Sequence, residues 1–303
     1  MEQTHKKVLM VINTLAGRGI TEEEGESHIK SVRAQCPETE VFQMKPETAL
    51  APRESLPGNN DANLIVSCGG DGTFNQVINQ YLKPGTLPYF AYVPLGHTNH
   101  FALSNGIPAD AKDALKTALD GKLCKCDAGK LNDKYFSFVA AFCSASSLHY
   151  VTLEQMKSVF DYAIHILRAV GELHMKIGMS FHMKAETDGG SFEGDYIFGS
   201  ISNLSAIDGK NLSNDTFSNS DGKMELFLIK TPKDRNETVE ILNALRNNKV
   251  DHPLISISKI SKASFVTDSQ ITCSIDGEYG GICSEVNVEV LKEALTIKIP
   301  GKK

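Results

Sequence analysis

The stretch that decides the fold is Ile65-Val66-Ser67-Cys68-Gly69-Gly70-Asp71-Gly72-Thr73-Phe74-Asn75. An apolar strand here runs directly into a glycine-rich string and then into a helical segment. Glycines let backbone amides approach phosphate oxygens closely, and a helix N-terminus adds partial positive charge. Because Asp71 would repel phosphates unless a cation offset it, the string predicts a nucleoside triphosphate site with Mg²⁺. The alternative is a plain strand-to-helix turn in which glycine supplies positive φ angles.

Around this stretch the first third of the chain alternates strand and helix signals. The predicted strands are Lys7–Asn13, Thr39–Met44, Asn63–Cys68 and Leu87–Val93, and the predicted helices are Thr21–Cys36 and Phe74–Leu82. Thr21 and Glu24 have the spacing of a capping box at the start of the first helix. This alternation predicts a parallel sheet covered by helices.

After about residue 125 strand-like runs dominate, many of them alternating apolar and polar residues as half-buried antiparallel strands do. They are Tyr135–Ala141, Ser180–Glu186, Tyr196–Ser202, Met224–Ile229, Ala263–Thr267, Gln270–Ile275 and Val286–Val290, interrupted by helices at Leu153–Val170 and Asn236–Asn247. We therefore predict an α/β N-terminal domain with a parallel sheet, residues 1–125, followed by a β-rich, β-sandwich-like second domain, residues 126–303. The last strand, Leu295–Ile299, fits either domain.

Composition narrows the class of protein. The chain has 303 residues and a net charge of −6, which argues against a nucleic-acid partner because such proteins usually carry a basic excess. Seven cysteines, an odd number at irregular spacing, indicate reduced thiols. No apolar run approaches the ~20 residues of a membrane span, and no secretory signal is visible, so we predict a cytoplasmic location.

Four segments together resemble the diacylglycerol kinase catalytic family, especially its bacterial soluble lipid kinases. Gly69–Thr73 matches the family string G-G-D-G-T, and Asn13–Arg18 is similar to its first-strand turn N-P-x-S-G-K. Asp127–Lys130 resembles D-x-G-K at the opening of the second domain, and Asp276–Gly281 carries the late D-G-E. The glycine string alone also fits NAD kinases, whereas the late D-G-E and the β-rich second half favour lipid kinases.

The resemblance implies ATP- and Mg²⁺-dependent phosphorylation of the hydroxyl of diacylglycerol or a related lipid alcohol, a transferase reaction of phospholipid biosynthesis. The residues it assigns to ATP are Asn13, Arg18, Gly69, Gly70, Gly72, Thr73, Gly96 and Asn99. Asp71 and Asp127 would organise Mg²⁺ through water, and Asp221 is the single carboxylate matching a second, structural Mg²⁺ site. Asp276 would be the general base, with Glu278 supporting it or facing the metal.

Each of these roles has a plainer alternative. Asp276-Gly277 also fits a type I′ hairpin turn. Asp127 also fits the start of a strand, Asp221 fits a simple turn, and Arg18 fits a solvated loop cation.

One segment departs from the family pattern P-x-G-T-x-N-D-F-A, because Pro94–Ala102 has His97 for threonine and His100 for aspartate. The following family arginine is replaced by Leu103. These departures leave open a non-catalytic nucleotide- or lipid-binding protein, and the glycine string leaves open an NAD kinase-like enzyme. A homodimer is compatible with the sequence, as is peripheral contact with the inner face of the membrane through a basic patch of Lys157, Arg168, Lys176, Lys302 and Lys303.

Overall fold

The computed structural model describes residues 7–17, 19–44, 56–58, 61–145, 180–202, 219–247 and 251–301. The chain forms two compact units, Met1–Ala128 with Lys292–Lys303, and Gly129–Leu291. Several sequence predictions lie outside the described residues: Arg18, the amphipathic helix Leu153–Val170, and the basic patch of Lys157, Arg168, Lys176, Lys302 and Lys303.

The first unit is built on a parallel sheet. Its strands are β1 (Val8–Asn13), β2 (Thr39–Met44), β3 (Leu64–Gly69) and β4 (Tyr89–Pro94), in the spatial order β4-β3-β1-β2. All neighbouring pairs run parallel. Every residue of β3 is buried, as is every residue of β1 except its last. Such unbroken apolar runs are typical of strands covered on both faces.

Four described helices accompany this sheet: α1 (Glu22–Gln35), α2 (Asp71–Tyr81), α3 (His100–Ser104) and α4 (Ala111–Asp120). The predicted capping box is confirmed, since the Thr21 hydroxyl accepts from Glu24 N and the Glu24 carboxylate accepts from Thr21 N. The sequence analysis missed α4, whose N-cap Asp110 accepts from two backbone amides.

The second unit is antiparallel and β-rich. Its strands are β6 (Lys134–Phe136), β7 (Val139–Ser144), β8 (Phe181–Thr187), β9 (Gly190–Ser202), β10 (Met224–Lys230), β11 (Ile255–Ile260) and β12 (Lys262–Ile275), with one helix among its described residues, α5 (Arg235–Arg246). Two further strands, β5 (Lys122–Leu131) and β13 (Glu278–Ile299), belong partly to each unit. Its core is a cluster of inward-facing apolar residues that includes Phe136, Phe142, Phe181 and Phe265.

The predicted fold class, an α/β part with a parallel sheet followed by a β-rich part, is confirmed. Some element bounds were wrong: the strand predicted over Tyr135–Ala141 is divided between β6 and β7, because a turn interrupts it. The strand predicted at Leu295–Ile299 is the end of β13, and its Ile297 pairs in parallel with Phe90 of β4. Within the described part of the chain, no helix is both long and apolar enough to cross a membrane.

Candidate functional site

Three turns come into backbone contact at the carboxyl ends of β1, β3 and β4. Gly17 has a φ of +63°, and a Cβ atom built on it would lie 2.2 Å from the Leu95 carbonyl oxygen. A Cβ atom on Gly96 would lie 2.6 Å from the Cα atom of Gly70. Because no side chain fits at Gly17 or Gly96, glycine is what allows these turns to meet. Open α/β sheets bind ligands at this edge.

The Gly-Gly-Asp-Gly-Thr turn leads from β3 into α2. Gly70 is the N-cap of α2, and no side chain caps the helix there. The first amides of a helix have no intrahelical partner, and together with the helix dipole they suit an anion. The Thr73 hydroxyl lies at this turn and accepts from the Asn13 side-chain amide at 2.9 Å, which connects the turn to the end of β1.

The Asp71 carboxylate is held by donors from the loop after β4. Its Oδ2 accepts from His100 N at 2.9 Å and its Oδ1 accepts from Phe101 N at 3.3 Å. The hydroxyls of Thr98 and Tyr92 each lie 3.4 Å from a carboxylate oxygen. Asp71 therefore caps the N-terminus of α3 and connects the glycine-rich turn to the segment that departs from the family pattern.

Asn99 stabilises the turn at Gly96 through side-chain hydrogen bonds. It has a φ of 51°, a left-handed conformation that asparagine tolerates better than most residues. Its Oδ1 accepts from Gly96 N and from the Tyr92 hydroxyl, both at 3.0 Å, and its Nδ2 donates to Gly96 O at 2.8 Å. The role predicted for Asn99 in lining the nucleotide site stays a prediction.

Tyr92 is a site residue that the sequence analysis missed. Its side chain is only 1% exposed, and its ring stacks on Phe74 of α2 with a centroid distance of 4.9 Å. Its hydroxyl reaches both Asp71 and Asn99. The available signal was a tyrosine near the carboxyl end of a buried strand, where a hydroxyl needs a partner.

The three residues that depart from the family pattern lie together at α3. His97 is exposed in the preceding turn, His100 is the half-buried first residue of the helix, and Leu103 is 66% exposed. The backbone amide of His100 is bonded to Asp71. The family's aspartate position is thus adjacent to the carboxylate of the glycine-rich turn.

The other predicted metal carboxylates contact backbone. Asp127, 4% exposed on β5, accepts from Glu293 N at 2.7 Å, where Glu293 has a φ of 51°. Asp221 closes a short turn by accepting from Lys223 N at 2.9 Å. Within the described ranges, no three or more His, Cys, Asp or Glu side chains are grouped so that they could hold a metal ion. The metal roles of Asp71, Asp127 and Asp221 stay predictions.

In the second unit Asp276 is surrounded by donors of one segment. Its Oδ2 accepts from Ser137 N at 2.8 Å and from the Ser137 hydroxyl at 3.0 Å. Its Oδ1 accepts from Phe138 N and Val139 N, both at 2.9 Å, and its own amide donates to Val139 O. A 6% exposed carboxylate held in this way fixes the backbone between β6 and β7 to the end of β12.

Asp276 and Gly277 form the two-residue loop between β12 and β13. Both have positive φ, 48° and 85°, as a type I′ turn requires. Glu278 follows at the exposed start of β13. The hairpin interpretation of Asp276-Gly277 is therefore correct as local structure, and it leaves the catalytic role of Asp276 a prediction.

Two solved kinase structures have the same fold as this chain. The chain is similar to a diacylglycerol kinase structure from Bacillus anthracis str. Sterne, with a TM-score of 0.75, 19% identity and 98% of both chains covered. It is also similar to an NAD kinase from Archaeoglobus fulgidus in complex with ATP, with a TM-score of 0.53, 12% identity, and 96% and 93% of the two chains covered. The fold is one that these kinases share.

The sequence comparisons then give the family. Residues 7–131 match the family model described as the diacylglycerol kinase catalytic domain. The diacylglycerol kinase of Staphylococcus aureus (strain JH9) is 24% identical over 280 residues, covering 91% of this chain and 87% of the relative. Residues 7–131 therefore match the diacylglycerol kinase catalytic domain family, the family that the sequence motifs predicted. It is a family of lipid kinases that use ATP.

Proposed function

We propose that this protein is an ATP-dependent lipid kinase that phosphorylates the hydroxyl of diacylglycerol or a related lipid alcohol. The observation that carries the proposal is the backbone cluster at the carboxyl ends of β1, β3 and β4, where the N-terminus of α2 has no side-chain cap. This cluster lies within the segment, residues 7–131, that matches the family model.

Phosphoryl transfer asks a protein mainly to position groups and to neutralise charge. The glycine-rich turn suits the first task, because glycines let backbone amides approach phosphate oxygens closely. At Gly69 a Cβ atom would lie 2.5 Å from the Thr73 side chain, so only glycine permits this turn. The start of α2 suits the second, since its partial positive charge faces the same place. Asn13 and Thr73, bonded to each other, fix the position of the turn beside β1.

Mg²⁺ enters this proposal as part of the MgATP substrate. The described residues do not fit a ready-made cage of three protein ligands, and Mg²⁺ usually keeps several waters and binds substrate phosphates besides one or two carboxylates. Asp71 is the carboxylate closest in sequence to the proposed phosphate site. Its contribution is to hold α3 in place while adding one negative charge beside that site.

The two carboxylates of the late Asp-Gly-Glu segment, Asp276 and Glu278, have different roles in this proposal. The oxygens of Asp276 already accept four hydrogen bonds from Ser137, Phe138 and Val139. These bonds attach both oxygens to the backbone between β6 and β7, so we assign Asp276 to positioning the turn. Glu278, exposed two residues later, is the better candidate for accepting the proton of the lipid hydroxyl.

A second candidate function is binding without catalysis. It is favoured by His100, which replaces a carboxylate beside Asp71, and by Leu103, which replaces a guanidinium three residues later on α3. A neutral imidazole supplies no negative charge for a metal network, and leucine supplies no donor for phosphate. In that case the protein would bind nucleotide or lipid and transfer nothing.

One experiment separates these functions. The purified protein is incubated with γ-labelled ATP, Mg²⁺ and a panel of lipid alcohols in mixed micelles, with NAD in a parallel reaction. Label in a lipid supports the proposal, label in NAD supports an NAD kinase, and no transfer despite calorimetric ATP binding supports the binding protein. Absence of both transfer and binding at millimolar ATP, with the protein folded, removes the kinase assignment altogether.

Paired variants test the base. Glu278→Gln should lower the turnover number about 10²–10⁴-fold while ATP affinity persists, because a general base acts on the acceptor hydroxyl. Glu285→Gln is the matched control, an exposed glutamate of the same strand, and should behave as wild type. If both variants keep wild-type rates, Glu278 is not the base.

A further inference from the structure

Two cysteines face each other across neighbouring strands of the second unit. Cys273 lies on β12 and Cys283 on β13, and their Sγ atoms are 3.7 Å apart. Cys273 is 1% exposed, whereas Cys283 is half-buried and can be reached by a small solute. In the strand register Cys273 is opposite Gly281 and Cys283 is opposite Ile271, so the two thiols are diagonal neighbours. Diagonal pairs in a sheet are close enough for their side chains to interact.

The contact makes the two sulfurs chemically different. Either sulfur can donate in this contact, and donation by the Cys273 thiol lowers the pKa of Cys283 to about 7, against the effect of its burial. The same hydrogen bond, together with burial, raises the pKa of Cys273, while the ammonium of Lys134 acts in the opposite direction. Cys283 is therefore the sulfur of the pair that reacts first, as the thiolate, and Cys273 is the thiol that reacts second.

Three other cysteines lack this activation. Burial raises the pKa of Cys36, Cys68 and Cys126 above the ordinary value. Since the thiolate is the reactive form, these three are expected to react slowly with oxidants. Cys124 is half-buried like Cys283 and serves below as the comparison thiol.

We propose that Cys273 and Cys283 form a modification site, a dithiol that a hydroperoxide such as hydrogen peroxide converts to a disulfide. The Cys283 thiolate attacks one peroxide oxygen, an S–O bond forms, the O–O bond breaks and hydroxide leaves. The Cys273 sulfur then attacks Cys283, the S–S bond forms, the S–O bond breaks, and the released hydroxide takes the Cys273 proton. Two thiols and one peroxide thus give one disulfide and two waters.

The bond would close the hairpin that contains Asp276, Gly277 and Glu278. Joining the sulfurs requires them to approach from 3.7 Å to the ~2.05 Å of a disulfide. Cys273 has little freedom, because it is 1% exposed and packed in the apolar core of the second unit. The shift therefore falls on the exposed side of the hairpin, which includes Cys283 and Glu278. If Glu278 is the base, which rests on the proposed function, oxidation displaces it.

The disulfide itself can be measured without any activity. Peroxide treatment should lower the intact mass by about 2 Da, and dithiothreitol should restore it. Trypsin leaves both cysteines in one peptide, residues 263–292, because that segment contains no internal Lys or Arg. A glutamate-specific protease then cleaves after Glu278, Glu285 and Glu289, which places Cys273 on fragment 263–278 and Cys283 on fragment 279–285. These two fragments separate when the peptide is reduced and stay linked when it is oxidised.

Variants locate the bond. Cys283→Ser and, separately, Cys273→Ala should lose the mass change, and Cys124→Ser should keep it. Persistence of the change in Cys283→Ser, mapping of the bond to Cys124 and Cys126, or no change in the folded wild type would each overturn the proposal. Using two different variants of the pair protects the test against failure of one of them to fold.

Activity is a second, separate measurement. With a lipid acceptor identified, oxidation should lower turnover about 10- to 100-fold, the range expected for a misplaced catalytic group, and leave ATP affinity unchanged. Cys283→Ser should keep its turnover in peroxide. A disulfide that forms without changing turnover refutes the regulatory effect, whereas a disulfide in a protein that transfers no phosphate refutes only the proposed function.

Discussion

Replacement of Asp276 by asparagine tests the positioning role directly. The substitution keeps the size and shape of the side chain, and asparagine tolerates the left-handed backbone that this residue adopts, with φ at 48°. One side-chain oxygen remains, and it can still accept from Phe138 N and Val139 N, as Oδ1 of Asp276 does. The position of Oδ2 is taken by an amino group that faces Ser137 N. Both groups are hydrogen-bond donors, so the bond between them is lost.

The magnitude follows from the bonds that are lost. Oδ2 of Asp276 accepts from Ser137 N at 2.8 Å and from the Ser137 hydroxyl at 3.0 Å. The hydroxyl can rotate and accept from the new amino group, whereas the backbone amide cannot. The loss of one hydrogen bond to a charged group, together with a buried amide left unsatisfied, gives about 2–5 kcal/mol of lost stability.

Urea unfolding of wild type, Asp276→Asn, Ser137→Ala and the double variant measures this loss. Ser137→Ala removes one bond to the carboxylate and leaves the backbone amide paired, so its cost is about 1.5–3 kcal/mol. The two changes share one contact and should not be additive. A loss below about 0.5 kcal/mol for Asp276→Asn, the size of an ordinary surface substitution, would refute the reasoning.

The same variant addresses catalysis. Asp276→Asn should lose phosphoryl transfer while ATP binding persists, which is also the result expected if Asp276 is the general base that the sequence analysis predicts. The structure adds a distinction, because a positioning residue should lose stability together with transfer, whereas Glu278→Gln should lose transfer alone. If Asp276→Asn keeps most of the wild-type rate of phosphoryl transfer, the contacts of the Asp276 carboxylate are not required for catalysis.

Three further predictions concern the first unit. Gly96→Ala places a Cβ atom 2.6 Å from the Cα atom of Gly70, so it should lower the free energy of unfolding by about 1–3 kcal/mol and weaken ATP binding in calorimetry. Gly85→Ala is the control, because no atom lies within 4 Å of its Cβ position, although φ is +76°, and it should leave ATP affinity unchanged. Equal ATP affinities for the two variants would contradict a role for the backbone cluster in binding. His100→Asp with Leu103→Arg should raise kinase activity or strengthen its Mg²⁺ dependence in initial-rate assays, because it restores the family's carboxylate and guanidinium close to the proposed phosphate site. Lower activity in the folded double variant would show that the histidine belongs to a working site. Thr21→Ala removes the cap of α1 and should lower the unfolding free energy by about 1 kcal/mol, with no effect on ATP affinity as the internal check.

The sequence located the glycine-rich turn but not its surroundings. Local order along the chain, a buried strand followed by glycines and a helix, was enough to predict β3, the turn and α2. The donors around Asp71 come from Tyr92, Thr98 and the start of α3, 21 or more residues away. Contacts at such separations depend on how strands are arranged side by side, which no local pattern encodes.

For the late turn, sequence and structure contributed different things. The dipeptide Asp276-Gly277 predicted a hairpin because both positions favour positive φ. The partner of its carboxylate, Ser137 and the two amides after it, lies more than 130 residues earlier in the chain. The positioning role that we propose for Asp276 rests on that partner, and its role as general base stays a prediction.

The sequence by itself determined the class of fold and the resemblance to the diacylglycerol kinase family, because apolar periodicity and the Gly-Gly-Asp-Gly-Thr string depend on residues that are neighbours in the chain. Tertiary structure alone decided what each polar side chain touches, that the end of β13 pairs with β4 through Ile297 and Phe90, and that Cys273 meets Cys283. The physical reason is that strand pairing brings together residues far apart in sequence, and a carboxylate or thiol takes its chemistry from those neighbours.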